Sequence, residues 1–327
     1  MQPKFYQNLG PFSLGEIERL IKCKPSDCNK DLKVKDFVGA EKSEKNDLTY
    51  LADNYYKDVD KIKSNFVIVS NKNKFNFKKD KNLFIVDNVH ESVAILSNIF
   101  FKEMSLSELD KYKTKIYEPS NISKNAIISK GVTIGENVRI ESGVFINYGC
   151  SIGKNVFIQN NTVISNAIIG DDVEIGRNCS IGQHGFGFAI SKNNNYKIFH
   201  KGRVILQNKV SIGANCCIDR GSFEDTLIGE NTFFDNLCHV AHNVQIGNNC
   251  VFAAQTGIAG SAKIGNNVMT GGQVGIAGHI NVGGNVHIAA KSGVVDDIDP
   301  NKSIMGYPAI DKFRYIRNYK KNYGRKN

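Results

Sequence analysis

The sequence predicts a mainly β protein: a parallel β-helix preceded by a small α/β unit and followed by a helical tail. Three observations predict it. Isoleucine recurs every six residues at Ile122, Ile128, Ile134, Ile140, Ile146, Ile152, Ile158 and Ile164. After a five-residue step the beat resumes at Ile169, Ile175 and Ile181, and it returns at Leu206, Ile212 and Ile218. It then runs over twelve positions from Ile228 to Val294, with Thr270 its single non-apolar member. Second, a small or β-branched residue stands four places after the beat, as at Val132, Val138, Cys150, Thr162, Thr232, Cys238, Ala262 and Val268. Third, Gly often follows the beat directly (Gly135, Gly153, Gly213, Gly229, Gly247, Gly265), where a tight corner is expected to need a residue without Cβ. A helix repeats every 3.6 residues and a strand every two, so neither alone explains a period of six. Strands this short cannot bury an apolar side alone and must stack turn upon turn.

Residues 1–116 lack hexads and form the expected α/β unit. Ser13 to Cys23 reads as a short amphipathic helix, with Ser13 as N-cap and Glu16 three residues on. Phe66 to Val69 and Leu83 to Val86 read as buried strands, and Val93 to Phe101 as a helix. Residues 117–305 form the β-helix, with two interruptions. Twenty-four residues separate Ile181 from Leu206, including Gly185-Phe186-Gly187-Phe188, and a shorter segment, Asp219 to Thr226, precedes Ile228. Loops thrown from a rigid solenoid are where sites are usually built. Past Val294 the beat stops, Gly306-Tyr307-Pro308 breaks the chain, and residues 306–327 read as a basic helical tail.

Composition narrows the function classes. The formal charge of +10 accompanies a general abundance of Lys, Asn and Ile, which reads as compositional bias and a solvated lysine surface. The basic residues neither cluster on one helix nor interleave with stacking aromatics, so nucleic acid is not the expected partner. One cluster stands out: in the last nineteen residues Lys312, Arg314, Arg317, Lys320, Lys321, Arg325 and Lys326 are set against a single acid, Asp311. It suits an acidic partner, and equally a solubilising tail. Cys150, Cys179, Cys216, Cys238 and Cys250 occupy the small slot of the hexad and read as structural thiols. No stretch resembles a signal peptide or a transmembrane span, and the expected location is the cytoplasm.

The seven histidines sort by phase. His90 and His200 read as surface residues, and His184 opens the first loop. His239, His242, His279 and His287 fall off the apolar beat, so none replaces a core residue. His242 and His279 are thirty-seven residues apart, one more than two coils of eighteen, which places them about 10 Å apart along the axis. A neutral imidazole can deprotonate a hydroxyl or amine that attacks a carbonyl. Against a thioester, one such base and an oxyanion donor suffice. Asp235, seven residues before His242, is a candidate to orient it. No serine-nucleophile motif and no phosphate-binding loop is present.

Several stretches together resemble the UDP-3-O-acylglucosamine N-acyltransferases of lipid A biosynthesis: His184-Gly185-Phe186-Gly187-Phe188, Ile218-Asp219-Arg220-Gly221, Asp235 through Asn243, Ala277-Gly278-His279 and Leu48-Thr49-Tyr50-Leu51. The resemblance implies a left-handed β-helix, a homotrimer with sites between adjacent subunits, and an N-terminal domain that helps bind uridine. It implies transfer of a 3-hydroxyacyl chain from acyl carrier protein to the 2-amino group of a UDP-linked glucosamine lipid precursor. No cofactor or metal is implied, since phosphopantetheine arrives on the carrier protein. By motif, His242 is the base, Asp235 its helper, and His279 a second site histidine that binds substrate or stabilises the oxyanion. Tyr50 and Tyr56 stand where the family stacks uracil, and Asn236 and His239 fall among the substrate contacts. Asp53 replaces an amide in the uridine motif and is acceptor-only. Gly293 and Val295, small residues where the acyl pocket is bounded, lead to the expectation of a comparatively long acyl chain. On the same implied basis the carrier protein, being acidic, would dock on the basic tail.

Three alternatives stay open on these residues. One is an acyltransferase of the same superfamily acting on another nucleotide sugar, and one is a non-catalytic solenoid scaffold. The third is a zinc hydratase, since β-helices of this kind also hold zinc through three histidines, here His239 and His242 with a histidine of a neighbouring subunit.

Overall fold

The computed structural model describes residues 5–23, 29–52, 59–60, 62–74, 77, 81–191, 194–306, 313, 317–318 and 321. From Lys115–Ile116 to Ser303–Ile304 the chain winds as a three-sided parallel β-helix. Its walls are parallel sheets of nine, nine and ten strands, most of them two residues long. The ladder is in register hexad on hexad, with Ile134 over Ile152 and Val240 over Ile258. The first rung begins at Lys115, two residues before the expected domain start.

The beat residues are the core. Ile134, Ile146, Ile164, Ile228 and Ile288 are all fully buried, as are Val132, Val144, Cys250 and Ala262 of the small slot. Burial is the dominant stabilising term, because each rung exposes its apolar side to the next rung alone. Thr270, the exception on the beat, is buried with its hydroxyl 3.0 Å from that of Thr256. Phe234 and Phe252 stack on consecutive coils at 4.7 Å. The seven described cysteines are free thiols, and the five in the small slot are buried.

The corners correct two sequence readings. Glycine after the beat answers coil-to-coil contact: a Cβ on Gly135 would lie 2.6 Å from the Gly153 carbonyl oxygen, and one on Gly229 2.4 Å from that of Gly247. The left-handed backbone falls instead to asparagines such as Asn137, Asn231 and Asn267 (φ 57°, 57° and 59°), a conformation Asn tolerates better than most residues. Their side chains form ladders along the edge: Asn231 donates to Asn249 at 2.8 Å and Asn267 to Asn285 at 2.9 Å. The abundance of asparagine at these corners is architectural as well as compositional.

The small unit packs α1 (Leu14–Ile21) and α2 (Val89–Phe100) around a parallel sheet of Leu48–Tyr50, Phe66–Ser70 and Asn82–Val86. Ser13 and Glu16 close a reciprocal capping box at the start of α1, as expected. Helix α2 starts four residues before the expected Val93, because Asn88 caps it through the Glu91 amide. The unit shares its core with the β-helix loops: Phe199 and Phe223 pack with Phe37, Phe100 and Phe101. Lys201, almost fully buried, is held by the Phe37 carbonyl (2.8 Å) and Asp36 (3.3 Å), with the Phe101 ring beneath its ammonium. The described tail residues 313, 317–318 and 321 are helical.

Candidate active site

One wall of the solenoid stacks Ser180–Gln183, Cys217–Asp219, His239–Val240, Gly257–Ile258 and Gly275–Ile276 in that order. The chain turns the corner directly after each strand, and there the histidines gather. His242 stands two residues past Val240. His279 holds a left-handed corner (φ 63°) two strands further on, in the slot of Asn243 and Ser261 (φ 60° and 62°). The two-coil spacing read from the sequence is therefore present. Gly260, one coil above His242, lies flat against it: a Cβ there would be 2.8 Å from the His242 Nε2.

The carboxylate of this cluster is Asp219. It is 3 % exposed, accepts a 2.9 Å hydrogen bond from the Gln183 amide, and its Oδ2 lies 3.7 Å from the His239 Nε2. Burial pushes its pKa above the ordinary aspartate value, opposed by the Gln183 bond and by His239 and His242. Partial burial lowers the His242 pKa; Asp219 pulls it upward, and His279 and His239 add to the lowering. The pKa of His279 is lowered too, by burial first and His90 second. At neutral pH His242 is thus an uncharged base.

Asp235 does not serve His242 within this chain. It follows Phe233–Phe234, a strand of another wall, and its Oδ1 accepts from the Asn236 amide nitrogen (2.7 Å) and Nδ2 (2.9 Å). With Asn236 it lines a groove of about 320 Å³ beside Gln159, Glu174 and Arg177. Six residues carry the chain onto the next face of a three-sided coil, so a seven-residue step leaves this wall. The structure brings His239, His242 and His279 together and leaves Asp235 and Asn236 outside. Tyr50 lies at the junction of the two units, its ring 5.8 Å from Phe37 and 5.5 Å from Phe223. Asp53 and Tyr56 lie outside the described residues, as does most of the basic tail. Gly293 has open space where a Cβ would stand, and Val295 is 72 % exposed.

Two further groups escaped the sequence reading. Asp219 occupies the slot where glycine usually follows the beat, so an acid in a glycine position was the available signal. His200, read as a surface residue, is 1 % exposed, with its ring 5.3 Å from His242 and 5.5 Å from His184. No signal marked it, because its loop has no period. Behind them Arg220, also buried, donates to Glu103 (2.8 Å) and meets His184. Burial would raise the Glu103 pKa, but bonds from His184 and Arg220 outweigh it and hold the carboxyl below its usual range. Among the described residues of the chain no group of three His, Cys, Asp or Glu is arranged to hold a metal ion.

A parallel β-helix of hexapeptide repeats with a histidine cluster at one corner defines the class. Residues 225–260 match the bacterial transferase hexapeptide model (six repeats), and residues 112–223 match the model of the GMPPB C-terminal domain. Over 66 residues the chain is 54% identical to a UDP-3-O-acylglucosamine N-acyltransferase of Caulobacter vibrioides, and 56% identical to such an enzyme of Legionella pneumophila. Each match covers 20% of this chain, and it spans 20% and 19% of the relatives' own length. Among solved structures, a UDP-N-acetylglucosamine acyltransferase from Campylobacter jejuni aligns over 65% of this chain and 86% of its own, at 25% identity and a TM-score of 0.48. One from Bacteroides fragilis aligns over 64% and 78%, at 26% identity and a TM-score of 0.48.

Proposed function

We propose that this chain is an N-acyltransferase of lipid A biosynthesis, moving a 3-hydroxyacyl chain from acyl carrier protein to the 2-amino group of UDP-3-O-(3-hydroxyacyl)-glucosamine. The observation that carries it is the cluster at one corner of the solenoid, where His242 lies within the field of Asp219, His279 and His239. The names of the relatives matched over 66 residues supply the substrate class.

The chemistry follows from the residues. The amine attacks the thioester carbonyl, and His242 accepts the proton it loses. Negative charge collects on the former carbonyl oxygen, where His279 can donate. The tetrahedral centre then expels the thiolate, and the proton held by His242 returns to sulfur. Asp219, beside His239 and within the field of His242, stabilises the imidazolium while it lasts. The thioester and its phosphopantetheine belong to the donor, so the enzyme supplies acid–base groups and a surface.

In this reading the homotrimer builds its sites between adjacent copies, Tyr50 and the 53–56 segment receive the uridine, and Gly293 and Val295 leave room for a long acyl chain. The basic tail, whose described members Arg317 and Lys321 are exposed, steers the acidic carrier protein. The reaction is intracellular, where carrier-bound acyl chains are made.

Acyl transfer from 3-hydroxyacyl carrier protein to UDP-3-O-acylglucosamine tests the reading. Wild-type turnover that falls by ~10²–10⁴ in His242→Ala supports it. Absence of wild-type turnover rejects this substrate pair and favours another nucleotide sugar. Reversing Arg317 and Lys321 together should raise KM for the carrier-bound donor and leave sugar binding alone; an unchanged KM removes the docking role.

A further inference from the structure

The long loop between Ile181 and Leu206 buries a histidine against the base. His184, His200 and His242 form a row, with ring centroids 5.5 and 5.3 Å apart and successive planes tilted by 38° and 47°. Gly185 donates its N–H to the His200 Nδ1 at 3.0 Å, so that nitrogen keeps its lone pair and the proton of the neutral ring sits on Nε2. Gly-Phe-Gly then wraps over both rings. A Cβ on Gly185 would lie 2.9 Å from the His200 Cε1 and 2.8 Å from the His242 Cβ, and one on Gly187 2.4 Å from the His200 Nε2. Only glycine allows the backbone this close. On the opposite side Gly260 abuts the Cε1–Nε2 edge of His242, so the base is seated between His200 and two glycines. Its Nδ1 edge is buried and without a hydrogen-bond partner among the described residues.

We propose that His200 is a positioning residue for His242: an uncharged imidazole, pinned by Gly185, that packs beside the ring of the base and, with Gly185, walls its buried side. The proposal rests on the reading of His242 as the base. The charged and titratable groups facing His242 are Asp219, His239 and His279; those around His200 are His242 itself, then His184, Arg220 and Lys197. Burial, first, and these neighbours hold His200 at a pKa of about 3, so it stays neutral while His242 gains and loses a proton. A neighbour that could itself be protonated would repel the imidazolium at the moment it forms.

The test is a histidine titration by NMR on the full chain, with the His242 signal assigned by its loss in His242→Gln. In His200→Ala the wall is gone, water reaches the buried edge, and the His242 midpoint should rise by about half to one unit toward the free value. His200→Asn keeps an acceptor for the Gly185 N–H, guards the fold, and should move the midpoint the same way by less. In acyl transfer, kcat should fall roughly ten- to a hundredfold with KM little changed, and the acid limb of the rate profile should move up with the NMR midpoint. A His242 midpoint unmoved in both variants, each shown to be folded by its melting curve, overturns the proposal. If wild type shows no acyl transfer but the midpoint still moves, the substrate reading fails and the wall stands.

Discussion

At His242 the useful quantity is the balance between burial and one carboxylate. Burial lowers its pKa and Asp219 raises it. Asp219→Asn removes the opposing charge and keeps the shape, so the His242 midpoint should drop further and the acid limb of kcat/KM should move to lower pH. The Vmax should fall as well, because the imidazolium loses its partner in the transition state. An acid limb that stays in place would assign the carboxylate to His239 alone. Both residues lie in motifs quoted from the sequence, yet their pairing was not legible there. The seven-residue step pointed to Asp235, whereas the fold selects the acid one coil below.

At the scale of the strand and corner, two kinds of glycine stand in different phases of the hexad. Gly247 follows the beat, and a Cβ there would lie 2.3 Å from the Asn266 Oδ1 and 2.8 Å from backbone of the next coil. Gly257 stands on the outer face of its strand with nothing within 4 Å of the same position. Gly247→Ala should therefore destabilise by about 1–3 kcal/mol, the usual cost of overpacking. Gly257→Ala should stay within about 0.5 kcal/mol of wild type. Urea unfolding of the two variants decides it, and equal midpoints would contradict the contact argument. The hexad announces where coils exist, but distance between coils decides which glycines are obligatory.

For the whole molecule, acid stability reports the buried histidines together. His200 titrates near 6.5 when unfolded and at about 3 when folded, so between those values the unfolded chain holds a proton the folded chain refuses. Its contribution is present above pH 6.5 and is lost as pH falls toward 3, with a slope of up to about 1.4 kcal/mol per pH unit. His242 and His279, also lowered, add in the same direction at the upper end of the window. Unfolding free energies measured at pH 7.5 and pH 5 should differ less in His200→Asn than in wild type. An equal difference would mean that the ring is hydrated in solution.

The period of six, the small slot and the breaks in both are local facts, and they determined the β-helix, its span and the place of its two loops, because each rung must bury the same face against the next. They also determined that His242 and His279 share a corner, since register in a three-sided coil is arithmetic. Tertiary structure alone decided that His200 is buried, that within one chain Asp219 rather than Asp235 lies near the base, and that Phe223 and Lys201 tie the small unit to the solenoid. Those contacts join segments from different walls, loops and domains, and their positions depend on how irregular loops fold back over a regular core.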